Sequence, residues 1–286
     1  MSTIIAIGGA KGGVGKTILA VNLALALTEA NQSVVLLDAD FGGANCHTFM
    51  GMVDPIKSLE DYFTKKIEFS DLIIDTPYKN LRLLCGGNNK IDSEQIKSRP
   101  LLTEIRKIAA NFVIIDLGAG LNDEMLGLYN LADEKIIIVT PQLTSLQNAY
   151  SFLKAAFQKE VEKSQNMALC LRHLDNNLCR LVYAVSELPS SHRLKNELET
   201  LAIKQKFWIL ANMVYDEHHL LSVSKLKELV KDYLSIDSAM LGKIQHTPEI
   251  QNSLSIMIPF VLLNPQSGSS KQLRKIAFSL FEYSKS

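Results

Sequence analysis

A glycine-rich segment near the start of the chain carries two lysines at a spacing suited to phosphate binding. Residues 9–17 read Gly-Ala-Lys-Gly-Gly-Val-Gly-Lys-Thr. Backbone N–H groups of such a loop converge on phosphate oxygens at the positive end of the helix that follows. The sequence therefore predicts a phosphate-binding loop, or P-loop, whose ligand-contacting residues are Gly12, Gly13, Val14, Gly15, Lys16, Thr17 and Ile18.

The flanking sequence sharpens this prediction. An apolar strand at 3–7 precedes the loop and an amphipathic stretch at 18–30 follows it, which is the strand–loop–helix order the motif requires. Lys16 is expected to reach the terminal phosphates, and the Thr17 hydroxyl to help hold Mg²⁺. The alternative, a glycine-rich turn that binds nothing, is disfavoured by this context. Lys11 has no role in an ordinary P-loop and needs a separate explanation.

Three aspartates follow apolar strands. Asp38 and Asp40 stand two residues apart after one strand, and Asp116 closes the apolar run 113–115. Open α/β sheets bind ligands at the carboxyl ends of their strands, and phosphoryl transfer depends mainly on positioning and charge compensation. One carboxylate of the Asp38–Asp40 pair can support Mg²⁺ while the other orients a water, and Asp116 is placed to hold the water shell of the Mg²⁺ ion. A solvated turn is the alternative for the Asp38–Asp40 pair.

Apolar strands alternate with helical stretches, which predicts an α/β fold with a mostly parallel central sheet and helices on both faces. The predicted strands lie at 3–8, 33–38, 81–85, 112–116, 135–140, 207–212 and 239–244. The predicted helices lie at 17–30, 93–110, 122–132, 144–162, 219–234 and 270–284. No repeat or low-complexity linker interrupts the pattern, so 1–286 is expected to form a single domain.

The segment at about 163–206 does not fit this alternation, because it is much longer than usual helix-to-strand connections. Two interpretations remain open. It is either an added hairpin or helix pair packed on the sheet edge, or a partner-specific surface, since insertions on a fixed scaffold often carry recognition.

Composition limits the class of protein. The 30 basic and 30 acidic residues balance, so there is no general attraction toward nucleic acid or an anionic membrane. The four cysteines have no C-x-x-C or metal-ligand spacing, which argues against an iron–sulfur carrier and predicts reduced thiols. No signal peptide or long apolar run is visible, so a cytoplasmic protein is expected. The amphipathic segment 271–281 is predicted to be a core helix rather than a membrane anchor.

Lys11 together with Lys16 is the deviant Walker A pattern, and it resembles the MinD/ParA family of ATPases. The stretches 38–45 and 116–120 resemble the FlhG (FleN) branch of flagellar-number regulators, and 139–150 and 211–214 resemble further family segments. The resemblance implies that ATP and Mg²⁺ promote a face-to-face homodimer. In that dimer Lys11 would reach the partner's phosphates. Asp40 would serve hydrolysis, and Asp38 would stand on the Mg²⁺ side of the site with Asp116. Asn212 would contact the adenine edge; a strand-end turn residue is the alternative for Asn212.

Several positions depart from the family pattern. Ile18 stands where most members have Thr or Ser, Gln142 and Asn148 replace acidic residues near Lys11 and the dimer seam, and Gln245 and Thr247 replace a Pro and an Asp near the base pocket. We hypothesise altered hydrolysis or partner stimulation with ATP binding retained.

These inferences predict a slow, Mg²⁺-dependent ATPase that acts as a dimerisation switch, with Lys11, Lys16 and Asp40 as its catalytic residues. Its expected partner is a protein of a polar, flagellar or division machine, with possible peripheral placement at the membrane or cell pole. Two alternatives stay open: a plasmid-partitioning ATPase that rides nonspecific DNA, which the balanced charge disfavours, and an ATP-locked binding module with little turnover.

Overall fold

One eight-stranded sheet organises the molecule. The computed structural model describes residues 2–9, 11–41, 43, 45–53, 55, 57–65, 67–87 and 98–284. The order of strands across the sheet is β3-β4-β2-β5-β1-β6-β7-β8. Every pairing is parallel except that between β3 and β4, which is antiparallel. The α/β class and the mostly parallel sheet predicted from the sequence are therefore confirmed. The strands are β1 Thr3–Gly8, β2 Val34–Ala39, β3 Ile74–Asp75, β4 Leu81–Leu84, β5 Phe112–Leu117, β6 Glu134–Val139, β7 Phe207–Val214 and β8 Ser238–Gln245.

Helices cover both faces of this sheet. They are α1 Lys16–Glu29, α2 Cys46–Phe49, α3 Leu59–Lys65, α4 Ser98–Arg106, α5 Asp123–Leu131, α6 Leu143–Val161, α7 Gln165–His173, α8 Leu178–Ser186, α9 Arg193–Lys204, α10 Glu217–Leu234, α11 Pro248–Ser255, α12 Phe260–Leu263 and α13 Gly268–Tyr283, with a short 3-10 helix at Phe69–Leu72. The seven predicted strands are all present to within two residues. The predicted helix at 93–110 is α4, and its first five residues lie outside the described part of the chain.

The helix after the P-loop is buried on nearly all sides. Eleven of the fourteen residues of α1 are buried. Its partners are β-strand residues beneath it and α13, which contributes Leu273, Ile276 and Leu280 to the same apolar cluster. A helix that is apolar all round belongs in the interior of a large domain. The prediction that 271–281 forms a core helix is thus confirmed, and no helix among the residues described combines the length and apolar character needed to span a bilayer.

The segment 163–206 forms three helices, so the expectation of a hairpin or helix pair is wrong in its count. Ser164, Asn177 and His192 each accept a hydrogen bond from a backbone N–H in the first turn of α7, α8 and α9, which satisfies donors that a helix start leaves open. Apolar residues of the three helices join the cluster formed by α6, α10 and one sheet face. The insertion therefore packs as an extra layer that continues the core.

Candidate functional site

The P-loop lies between the carboxyl end of β1 and the first turn of α1. Gly15 has φ +93° and immediately precedes the helix. A Cβ atom at Gly15 would lie 2.3 Å from the Asn212 side-chain nitrogen, so both the backbone conformation and the space require glycine there. Lys16 is 8% exposed, and its Nζ donates to the Lys11 carbonyl oxygen at 3.3 Å. The loop therefore curls around the Lys16 ammonium.

Lys11 points away from this loop toward the start of α6. Its Nζ donates to the Gln142 Oε1 atom at 3.3 Å and to the Thr144 Oγ1 atom at 3.0 Å. We call these two contacts the Lys11 latch. Gln142 is the N-cap position of α6, where the helix dipole presents partial positive charge. A cation is thus held at the unfavourable end of a 19-residue helix by two neutral oxygens.

Asp38 and Asp116 are brought together by strand pairing. They are register partners on adjacent strands β2 and β5, and they are 0% and 1% exposed. Asp38 accepts hydrogen bonds from the backbone N–H groups of Asp40 at 3.1 Å and Cys46 at 2.9 Å. The Asp116 Oδ1 atom is buried without a hydrogen-bond partner among the described residues. Two carboxylates therefore share a buried site at the carboxyl edge of the sheet.

Burial shapes the proton affinities of these groups. Burial, reinforced by the charge of Asp38, raises the pKa of Asp116 to about 7. Burial also raises the pKa of Asp38, although two backbone hydrogen bonds oppose the shift. The pKa of Lys16 is lowered by burial, against the attraction of Asp116 and Asp40. The site is therefore short of positive charge in the absence of a ligand.

The donor atoms fit a divalent cation such as Mg²⁺. Magnesium takes oxygen ligands, commonly one or two carboxylates together with phosphate oxygens and water. Asp38 and Asp116 supply the carboxylates, and the Thr17 hydroxyl lies close enough to lower the pKa of Asp116. The unpartnered Asp116 Oδ1 atom is the buried lone pair that such a cation would satisfy.

A cavity of about 440 Å³ opens beside the P-loop. Its wall includes the P-loop residues Gly12, Gly13, Gly15, Lys16, Thr17 and Ile18, the strand-end residues Asp40 and Asn212, and the β8–α11 residues Gln245, His246 and Thr247. Val14 is buried behind the loop. The volume lies within the range of 300–1,000 Å³ that small-molecule sites usually have. We call it the P-loop cavity.

Asn212 contacts the P-loop directly. Its Nδ2 atom donates to the Val14 carbonyl oxygen at 2.8 Å. The carboxamide therefore links the end of β7 to the phosphate loop as well as lining the P-loop cavity. The predicted contact with an adenine edge stays a prediction, and this second role is one the sequence did not indicate.

Asp40 lies against the loop that follows β5. A Cβ atom at Gly118 would lie 3.1 Å from the Asp40 Oδ1 atom, so glycine at 118 allows the two loops to approach closely. The predicted site residues thus converge on one edge of the sheet, except that Lys11 faces α6. Sequence reasoning gave no role to Thr144, although it lies in the family-like segment 139–150. It also missed Cys46 and the His246–Tyr215 ring stack, whose centroids are 4.6 Å apart, because no motif spacing marks them.

Comparison with known proteins identifies the family of this chain. A family model named ParA, described as NUBPL iron-transfer P-loop NTPase, matches residues 1–171 of the 286-residue chain. The chain belongs to this ParA family. The FleN antiactivator of Pseudomonas aeruginosa is 32% identical to this ParA-family chain over 155 residues, which cover 53% of the chain and 55% of that protein. The chain thus spans about half the length of the curated relative it matches there.

Other matches run along most of the chain. The septum site-determining protein MinD of Helicobacter pylori is 26% identical over 257 residues, covering 85% of this chain and 92% of that protein. The structure of MinD from Pyrococcus horikoshii complexed with Mg-ADP superposes with a TM-score of 0.65 at 22% identity, over 99% of this chain and 98% of that one. The resemblance to the MinD/ParA family is therefore confirmed, and this structural likeness shows the fold.

Proposed function

We propose that this ParA-family protein is a Mg²⁺-dependent ATPase whose ATP-bound form is a homodimer. The observation that carries the proposal is the pair of lysines on one loop: Lys16 is enclosed by the P-loop, whereas Lys11 is turned outward onto α6. Two cations with different surroundings on one loop suit two tasks. Lys16 binds phosphate within the subunit, and Lys11 is available to a nucleotide on a second copy.

The chemistry follows from charge and position. Lys16 compensates the terminal phosphates, and the P-loop amides at the start of α1 bind phosphate oxygens. A Mg²⁺ ion held by Thr17, Asp116 and Asp38 would supply charge compensation on the phosphates. Asp40, which faces the loop after β5, orients the attacking water. Asn212 contacts the base, with Ile18 beside the phosphates.

For Lys11 to act on a second nucleotide, the Lys11 latch has to open. Its two neutral acceptors stabilise the ammonium less than a carboxylate would, and the α6 dipole opposes it. Opening therefore costs little. Once in the dimer, Lys11 adds positive charge where the transition state gathers negative charge, and the closed interface excludes water. The isolated subunit hydrolyses ATP slowly because it lacks both the partner's Lys11 and the exclusion of water by the closed interface.

The relatives suggest the cellular role. FleN is named an antiactivator and MinD a septum site-determining protein, so we propose that this chain regulates the number or placement of a flagellar, polar or division machine in the cytoplasm, peripherally at the membrane or pole. We treat 1–286 as one ATPase domain. The insertion at 163–206, which exposes Leu169 and Tyr183, is the proposed partner-specific surface.

The test is the molecular mass in solution, measured by light scattering with size-exclusion chromatography. Asp40→Ala with ATP and Mg²⁺ is expected to be a dimer, because it binds ATP without hydrolysing it. The double variants Asp40→Ala/Lys16→Ala and Asp40→Ala/Lys11→Ala are expected to stay monomeric, the first through loss of ATP binding and the second with ATP bound. Asp40→Ala/Lys227→Ala, with a change at an exposed lysine on α10, is the matched control and is expected to be a dimer with ATP. A mass insensitive to ATP in Asp40→Ala contradicts the proposal.

One specific observation favours a second candidate, an ATP-locked binding module with little turnover. Position 142 carries an amide that holds Lys11, and the resemblance indicates an acidic residue there in relatives. ATP binding and dimerisation without phosphate release would select this candidate. Salt-dependent DNA binding with ATP would instead select a DNA-partitioning function, which the net charge of zero disfavours.

A further inference from the structure

A thiol lies beside the two buried carboxylates. Cys46 is 0% exposed, as is Asp38, and Asp116 is 1% exposed. The Cys46 Sγ atom is 3.7 Å from the Asp116 Oδ2 atom. One donor atom from each of these three residues lies within 4.8 Å of the other two. Carboxylate oxygens and a cysteine sulfur therefore face one small volume, which we call the Asp-Cys-Asp cluster.

The distance between the Cys46 sulfur and the Asp116 oxygen suits direct coordination of one ion by both atoms. With the usual zinc bond lengths to sulfur and oxygen, a tetrahedral ion holds its sulfur and oxygen ligands about 3.6 Å apart. The observed separation of 3.7 Å is close to that value. The backbone N–H groups that donate to Asp38 fix its carboxylate while leaving lone pairs for an ion, as outer hydrogen bonds commonly do at metal sites.

An independent observation points to a missing ligand. The Asp116 Oδ1 atom is buried with no hydrogen-bond partner in the described part of the chain. An unsatisfied buried carboxylate oxygen costs free energy that a hydrogen bond or an ion would recover. The nearby Lys16 brings one positive charge against two carboxylates, so the pair remains under-compensated without a further cation.

We propose that the Asp-Cys-Asp cluster is a site for a thiophilic divalent cation of the zinc class when no nucleotide is bound. Oxygen ligands alone suit magnesium, whereas a cysteine sulfur favours zinc, cobalt or cadmium. Asp38, Cys46 and Asp116 provide three of the four ligands that a tetrahedral zinc ion takes.

The binding step balances in atoms and charge. The ion forms bonds to one oxygen of each carboxylate and to the Cys46 sulfur. The thiol proton, and the proton on Asp116 where that carboxyl group carries one, are released to solvent. No electron is transferred. The two carboxylates and the thiolate carry three negative charges, the ion two positive charges and Lys16 one, so the occupied site is neutral overall.

The proposed site shares Asp38 and Asp116 with the Mg²⁺ site of the proposed ATPase. Occupation by a zinc-class ion and by Mg²⁺ with nucleotide should therefore be mutually exclusive. The ion would link β2, β5 and the start of α2 through one ligand from each. The proposal itself rests on the geometry of the Asp-Cys-Asp cluster and does not require that the chain hydrolyse ATP.

Titration of the nucleotide-free full chain with Co²⁺ tests the proposal, because a cobalt–thiolate bond gives a charge-transfer band in the near ultraviolet. We expect one equivalent of Co²⁺ to produce the band, Zn²⁺ to displace it, and Cys46→Ala to remove it while weakening Co²⁺ binding at least about tenfold. Cys85→Ala, at a second buried cysteine of the same apolar cluster, should retain both band and affinity.

A folding control on two Cys46 variants keeps the cobalt titration decisive. Thermal unfolding of Cys46→Ala and Cys46→Ser establishes that both are folded, so that a missing band reports the ligand. Co²⁺ bound without a band, or a band that survives Cys46→Ala, overturns the proposal. Failure of cobalt binding with intact ATP-driven dimerisation removes only this inference, whereas cobalt binding without any ATP binding removes only the ATPase.

Discussion

The carboxyl edge around β2 and β5 buries charged side chains, whereas the inserted layer α7–α9 buries apolar ones. At the edge, Asp38, Asp116 and Lys16 are buried, and the Asp116 Oδ1 atom lacks a described partner. In the inserted layer the buried residues are apolar, among them Met167, Leu181 and Val185, and the helix starts are capped. Proteins leave buried polar groups without partners mainly at functional sites. We infer that the edge gives up stability for ligand binding, whereas the buried side of the layer adds stability.

Asp116→Asn should change stability and activity in opposite directions at the edge, and this is the largest effect we expect. In chelator without nucleotide, Asp116 keeps its proton up to about pH 7 when folded but loses it near pH 4 when unfolded. A folded-state pKa raised in this way gives stability that is present at low pH and lost as the pH rises through 7. We expect the Asp116→Asn variant to be roughly 2–4 kcal/mol more stable than the parent at pH 7, with little difference at pH 4.

Urea unfolding at both pH values measures the free energy of unfolding. The same variant should lose ATP hydrolysis by about 100-fold or more, because the cation site is incomplete. Equal stability of both proteins across the pH range would show that the carboxyl group is compensated in a way that the structure does not indicate.

Leu181→Ala should show the opposite behaviour in the inserted layer. Leu181 is 1% exposed, and truncation of a buried leucine costs about 2–5 kcal/mol through lost burial and a cavity. ATP affinity should stay within about twofold, since the layer does not contribute to the P-loop cavity. Leu169→Ala is the matched control, because Leu169 is 56% exposed and its loss should cost under about 0.5 kcal/mol. A large change in ATP affinity on Leu181→Ala would mean that the layer and the edge are coupled.

Gln142→Glu tests the Lys11 latch and should have the smallest effect. A carboxylate at 142 would pair with Lys11 and also suit the positive end of α6, so the closed latch should gain about 1 kcal/mol. The ATP-driven monomer–dimer equilibrium is then expected to weaken by about fivefold. Gln147→Glu adds the same charge to the first turns of α6 at an exposed position. It controls for the effect of a negative charge on the α6 dipole without a direct contact to Lys11. Equal effects of both changes would show that Lys11 is not held at 142.

The sequence predicts the motifs of this molecule well, but it does not predict which residues from distant parts of the chain contact one another. The P-loop and the acidic strand ends could be located because strand, turn and helix signals surround them. The pairing of Asp38 with Asp116 could not, because β2 and β5 are far apart in the chain and only strand order makes them neighbours. The two-residue strand β3 is too short for any periodicity. For the three helices of the insertion, the cap residues Ser164, Asn177 and His192 were visible and could have supported the correct count.

Cys46 illustrates the same limit. The spacing of the cysteines argued against a metal site made of several thiols. The neighbours of Cys46 are instead aspartates from two strands, and no sequence spacing reveals that arrangement. Asn212 was expected to face a base, and its hydrogen bond to Val14 depends on β7 ending beside the P-loop.

The burial of α1 decides where this molecule can move. A helix enclosed by the sheet beneath and by α13 above cannot shift without opening close-packed interior, so the P-loop at its start is a rigid support. In the proposed ATPase, loss of the terminal phosphate then has to change the contacts of the segments after β2 and β5, which meet at Asp40 and Gly118. Any partner that distinguishes the two nucleotide states has to touch those segments or the residues that pack on them.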